Sequence, residues 1–112
     1  MTNSKQQLES VICDVGSIIA GKADKNDIEK ALGVLCNDGV YAYYVFVDSK
    51  DQNIFLSGIE ELTLYTHTEL ERNKYQQYFK NLSRDINDLL FFKEMLEQAL
   101  TYARYHAKAS DN

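Results

Sequence analysis

Asn37-Asp38-Gly39-Val40-Tyr41-Ala42-Tyr43-Tyr44-Val45-Phe46-Val47-Asp48-Ser49-Lys50 is the stretch on which the fold turns. Val40 to Val47 is β-branched and aromatic, Asp48 to Asn53 has the composition of a polar turn, and Ile54 to Leu56 can return as a second strand, so the region reads as a β-hairpin. It reads equally as a helix buried on all sides: a turn of six residues is long for a hairpin, the return run is short, and an apolar run of this length fits either element. Because β propensity is readily overridden by context, these residues alone leave the two readings level.

Upstream, the pattern is helical. Ser4 with Gln7 three positions on has the form of a capping box, and Leu8, Val11, Ile12, Val15, Ile18 and Ile19 follow at helical spacing to a stop near Gly21. Beside that stripe runs a line of small residues, Cys13, Gly16, Ser17 and Ala20, which reads equally as a surface on which a second helix packs closely and as small residues merely tolerated there. Asp24 is the expected N-cap of the next helix, Ile28, Ala31, Leu32 and Leu35 are its inner face, and Asn37-Asp38-Gly39 supplies a polar exit with a left-handed glycine.

Downstream, after Gly58, neither glycine nor proline occurs. Ile59, Leu62 and Tyr65 continue a short helix. Thr66-His67-Thr68-Glu69 has the form of another capping box, predicting a helix from Glu69 with Leu70, Tyr75, Tyr78, Phe79 and Leu82 inside. Ser83 is the expected cap of a last helix to about Lys108, with Ile86, Leu89, Leu90, Met95, Leu96, Ala99, Leu100, Ala103 and Ala107 inside. Only Asn81-Leu82-Ser83 separates the two, so a single bent helix is the alternative.

The whole chain of 112 residues, 45% hydrophobic and 26% charged, fits one domain able to bury a core without disulfide or metal. The absence of proline and the presence of only five glycines favour long helices over turn-rich β architecture. The expected fold is therefore an all-α, compact single-domain bundle of about five to six helices over residues 1–112, with an α+β fold carrying a hairpin at 40–56 as the alternative. The first residues are polar and no apolar run reaches membrane-spanning length, so the chain reads as cytoplasmic and free of the membrane. Cys13 and Cys36 are then expected as thiols.

Charge constrains the partners. The net charge of −5 argues against broad, non-specific binding to nucleic acid while leaving room for a local patch. The acidic excess lies in residues 1–66; residues 67–112 carry seven charges of each sign. There, Arg104 and Lys108 stand four apart with Tyr102 and Tyr105 interleaved, a pattern suited to phosphate contact and base stacking, although cations in a last turn also offset the helix dipole. Lys80 and Arg84 make a second such pair near Lys74; the ordinary role there is a solvated face, with Arg84 paired to Asp88. Tyr41, Tyr43 and Tyr44 cannot all point inward, and half-exposed tyrosines suit a protein interface as well as packing between helices.

Catalytic signatures are missing. His67 and Glu71 share a helical spacing without further ligands, His106 and the cysteines fall in no ligand pattern, and neither a nucleophile elbow nor a phosphate-cradling glycine loop occurs. The sequence therefore reads as non-enzymatic and implies no cofactor and no metal.

Gly39, Ala42, Phe46, Ser49 and Lys50, after an amphipathic helix with an Asn-Asp exit, resemble the Asn-Gly-Leu...Ala...Phe...Ser-Lys stretch of the small helical subunit of Cmr-type (type III-B) CRISPR effector complexes. Glu97 to Lys108, with its Glu, Leu, aromatic, Arg and Ala residues, is similar to the last helix of that family. The two patches cover about a quarter of the chain; related type III small subunits fit almost as well, the glycine-to-alanine spacing differs by one residue and the chain is somewhat short and less basic. The resemblance implies a non-catalytic all-α bundle that stacks with copies of itself inside a multi-subunit ribonucleoprotein and contacts the backbone of guide or target RNA, and it favours the helical reading of 40–47. Lys74, Lys80, Arg84, Arg104 and Lys108 are the expected phosphate contacts, and Tyr41, Tyr43 and Tyr44 the expected protein interface. A small helical adaptor or oligomerisation module that binds protein only is the alternative; a small-molecule-binding α+β domain would need the hairpin.

Overall fold

Two long helices, α1 (Ser4–Lys22) and α7 (Ile86–Ser110), form the spine of the protein and make its most extensive contact. Between them in sequence come α2 (Lys25–Asp38), α3 (Val40–Ser49), the single turns α4 (Ile54–Ser57) and α5 (Glu60–Thr63), and α6 (Tyr75–Leu82). This computed structural model describes residues 4–50 and 53–110, among which there is no strand. The chain is an all-α, single-domain bundle; its radius of gyration, 13.4 Å, matches the ~13 Å of a compact domain this long.

The α1–α7 contact depends on small residues. A Cβ on Gly16 would lie 2.8 Å from the Ala99 carbonyl oxygen and 2.9 Å from the Tyr102 Cβ, so the two backbones approach as closely as a glycine allows. Opposite it, Ala99, Ala103 and Ala107 form the narrow part of the buried α7 stripe, which widens to Phe92, Met95 and Leu96 toward the N-terminus. The line of small residues on α1 is thus used at Gly16, with Ala20 half-buried, while Cys13 and Ser17 face solvent. Ile12, Val15 and Ile19 are buried, but Ile18 is exposed. The Ser4–Gln7 capping box involves side chains outside the described ones.

Helix α2 buries the four expected residues, Ile28, Ala31, Leu32 and Leu35, and packs against α7 and α3. Asp24 holds the extended N-cap conformation without a side-chain hydrogen bond to the helix. Gly39 ends α2 with φ 100° and ψ −179°, a region open essentially to glycine alone; its N–H donates to Leu35 O and its carbonyl accepts from Tyr43 N. One residue therefore closes one helix and opens the next.

The stretch 40–49 is helical. Val40, Tyr43 and Val47, at helical spacing, are buried on one face, and the Tyr43 hydroxyl donates to Phe55 O at 2.8 Å, fixing the turn of α4 against α3. Tyr44 stacks on Phe79 of α6 with centroids 5.1 Å apart, and Phe79 meets Tyr78 and Phe92 edge-on at 5.4 and 6.0 Å. At the helix end, Ser49 Oγ donates to Phe46 O and Lys50 Nζ lies 5.8 Å over the Phe46 ring. Packing on three elements outweighs the β propensity of these side chains, and the hairpin does not form.

The next difference from the expected elements runs the other way. Residues 64–74 are a loop, and the helix expected from Glu69 begins only at Tyr75. The threonines predicted to cap it are engaged elsewhere. Thr66 Oγ1 bonds to Thr63 O and lies 3.0 Å from the Tyr78 hydroxyl, while His67 N–H and Thr68 Oγ1 both donate to the carboxylate of Asp88 in the first turn of α7. Asn73 then turns the chain with φ 60°, a conformation asparagine tolerates. A break at Ser83–Asp85 separates α6 from α7. Ser83 is the C-cap of α6, its hydroxyl bonding back to Phe79 O, and Asp85 caps α7 by accepting from the N–H groups of Asn87 and Asp88. In α7, Ile86 and Leu90 are exposed, and Phe92 takes the interior place that the expected stripe gave to Leu90.

Candidate functional site

The packing of α3 on α6 creates a shallow groove of about 390 Å³ lined by Tyr44 and Asp48 from α3, Asn73 and Lys74 from the loop, and Tyr75, Gln76, Gln77 and Lys80 from α6. Three of the expected site residues, Tyr44, Lys74 and Lys80, meet there although some thirty residues separate them in sequence. Lys74 pairs with Glu71 at 3.0 Å, both side chains being about two-thirds exposed, a pair worth little energetically that leaves the ammonium available to a competing anion. Lys80 makes no ion pair among the described residues. Two ammonium groups and three side-chain amides give the groove several donors suited to phosphate oxygens, and Asp48 on its opposite wall limits how much negative charge it admits.

The tyrosines divide. Tyr41 is half-buried and meets Tyr44 edge-on at 5.9 Å. Tyr44 keeps part of its ring exposed, and burial, then the neighbouring Asp48 charge, raises its phenol pKa. Tyr43 is not an interface residue: it shares the inner face with Val40 and Val47, is fully buried, and its phenol is pushed well above the usual range by desolvation. Tyr75 closes one end of the groove, donating to the Glu60 carboxylate; burial first and that bond second push its phenol up to about 12.

The remaining cations lie apart. Arg84 is exposed in the α6–α7 turn; its expected partner Asp88 is committed to the loop, and Arg84 has no ion pair among the described residues. Arg104 is half-buried, its guanidinium 5.6 Å from the centroid of the exposed Tyr105 ring, and Lys108 is exposed in the last turn. From the start of α7 to Arg104 the axis runs about 27 Å, so these cations form two separate contact points rather than one patch.

Asp88 is the residue sequence reasoning missed. It is 3% exposed, and although burial acts to raise its pKa, the hydrogen bonds from the Thr68 hydroxyl and the backbone N–H groups of His67 and Thr68 prevail and lower it. It thereby ties the wall of the loop to the spine. The signal was present: counting back from Ala99 through Met95 and Phe92 puts Asp88, not Ile86, on the buried face.

Nucleophiles and metal ligands do not converge. Among the described residues no group of three His, Cys, Asp or Glu side chains is placed to hold a metal ion. Cys13 and Cys36 are exposed free thiols, and burial followed by the charge of Glu97 raises the pKa of Cys36, which reduces its thiolate at neutral pH. No helix among the described residues is long and apolar enough to cross a membrane. No protein-family profile matches this chain, and no curated protein or solved structure matches it either.

Proposed function

We propose that this protein is a non-catalytic small subunit of an RNA-guided, type III CRISPR effector ribonucleoprotein in the cytoplasm, stacking with like subunits and contacting the backbone of guide or target RNA. The observation that carries the reading is the helical state of both stretches resembling the Cmr-type small subunit: 37–50 runs through the end of α2 into α3, and 97–108 lies within α7. Lys74 and Lys80 beside Tyr44 supply one phosphate contact, with Arg84 one turn beyond Lys80. Arg104 and Lys108, flanked by exposed Tyr102 and Tyr105, supply the other. Tyr41 and Tyr44 are the tyrosines left for a protein neighbour.

The test is charge reversal at Arg104 and Lys108 within the assembled complex. It is expected to weaken RNA retention and to flatten its dependence on salt by about 0.7 in log–log slope for each phosphate that is no longer neutralised. Unchanged affinity and slope would overturn the RNA role. The exposure of Ile86 and Leu90 along α7 favours a second reading, a helical adaptor that binds protein only. That reading predicts association insensitive to salt and natively purified complexes free of nucleic acid.

A further inference from the structure

Four further depressions neighbour one another, each sharing a lining residue with the next. The first, about 610 Å³, lies under the 64–74 loop and is walled by Glu60, Glu61, Leu64, His67 and Glu69. His67 also lines the second, where Asp85 and Phe91 take part; Phe91 continues into the third, and Glu94 and Gln98 carry the third into the fourth, at Tyr102. The shared residues place the depressions in series along one groove-like face, the last three following α7 from Asn87 to Tyr102 for about 22 Å, the length of a fifteen-residue helix.

Its lining has a consistent chemistry. No lysine or arginine lines any of the four depressions among the described residues, whereas Glu9, Glu61, Glu69 and Glu94 do and make no ion pair with them. Between the carboxylates stand large apolar or aromatic side chains open to solvent: Leu64 at 79% exposed, Phe91 at 37% and Tyr102 at 41%. Where α1 meets α7, Leu8, Ile12, Phe91 and Met95 enclose a smaller hollow of about 160 Å³, sized for a single apolar side chain, with Glu9 and Glu94 also on its lining. A surface that alternates apolar anchors with uncompensated carboxylates is complementary to a segment that alternates apolar and cationic residues. The same carboxylates repel a polyanion, which sets this groove apart from the cationic contacts proposed above.

We infer that this groove is a docking site for a basic, amphipathic helical segment of a partner protein, anchored by an apolar side chain in the hollow beside Phe91 and by cations on Glu61 and Glu94. The probe is a fluorescein-labelled fifteen-residue peptide with Leu on one helical face and Lys on the other, followed by anisotropy with the full chain. Its controls are a peptide of identical composition with Leu and Lys shuffled, and a Lys/Ser peptide. Binding is expected for the segregated peptide and at least tenfold weaker for both controls. The exposed double substitution Glu61→Lys/Glu94→Lys is expected to weaken it at least tenfold, and Phe91→Ser comparably. Asp14→Lys/Glu29→Lys, with the same net charge but outside the groove, is expected to leave it within twofold; circular dichroism of each variant checks the fold.

Four results would overturn the inference. Equal binding of segregated and shuffled peptides would reduce the groove to bulk charge, and equal weakening by the two double substitutions would do the same. Concentration-dependent self-association in sedimentation, abolished by Glu61→Lys/Glu94→Lys, would give the groove to a second copy of this chain. Displacement of the peptide by a single-stranded RNA would give it to nucleic acid.

Discussion

Residues 40–49 and 64–74 depart from local propensity in opposite directions. The first is rich in β-formers and is a helix; the second begins with a capping box and is a loop. In the first, Val40, Tyr43, Val47 and Tyr44 each find a packing partner on another element, and the burial of large side chains outweighs a propensity of a few tenths of a kcal/mol per residue. In the second, the Thr66 hydroxyl turns to Thr63 O and Tyr78, and the His67 N–H and Thr68 hydroxyl find a charged acceptor in Asp88. A charged acceptor holding neutral donors in a buried place makes stronger bonds than an N-cap threonine open to water. Context decides both regions, through dispersion and burial in one and charge-assisted hydrogen bonding in the other.

This contrast can be broken in separate experiments. The largest effect is expected from Phe79→Ala, which removes the ring beneath Tyr44 and between Tyr78 and Phe92. Urea denaturation should show a loss of about 3–5 kcal/mol, with amide exchange rising first in 40–49. Exchange rising first in 64–74 instead would mean that the loop, not α3, depends on the aromatic cluster.

Asp88→Ala should cost about 1–2 kcal/mol, because part-buried donors on His67 and Thr68 lose their charged acceptor, and should free the amides of 66–68 while 40–49 stays protected. The pH dependence follows from the lowered carboxyl pKa: its contribution is fully present above the ordinary carboxylate range and is lost as pH falls through the folded value. The stability gap between the native chain and Asp88→Ala should therefore narrow in acid; a constant gap would show that the negative charge is not what holds the loop. An effect no larger, about 1–2 kcal/mol, is expected from Gly39→Ala, which forces a side chain into φ 100° at the start of α3. Its thermal unfolding should shift without any change at the loop.

What could be read in advance follows the range of the forces involved. Helix α2 was legible to the residue, since its apolar face, N-cap position and glycine stop all lie within it. The helicity of 40–49 was left open by its own residues and favoured only by the scarcity of helix breakers and the resemblance, because part of its packing support comes from Phe79, about thirty or more residues away. The loop at 64–74 was illegible for the same reason: its acceptor is about twenty residues downstream on a helix whose inward face was read correctly from Met95 onward but misplaced in the first turns, at Ile86 and Leu90. Of the candidate site, the cations were visible as residue types, but the meeting of Lys74 and Lys80 with Tyr44 exists only through α3–α6 packing. Tyr43 was misplaced because counting tyrosines does not say which one shares a face with Val40 and Val47.

Gly39 has a mechanical consequence. With its N–H held by Leu35 and its carbonyl holding Tyr43, the joint between α2 and α3 has no slack residue to absorb a rotation. The two helices form a stiff elbow, one arm lying along α7 and the other presenting Tyr41 and Tyr44 at the surface. A load applied by a neighbour at those rings is transmitted through the elbow to the spine rather than dissipated in a hinge.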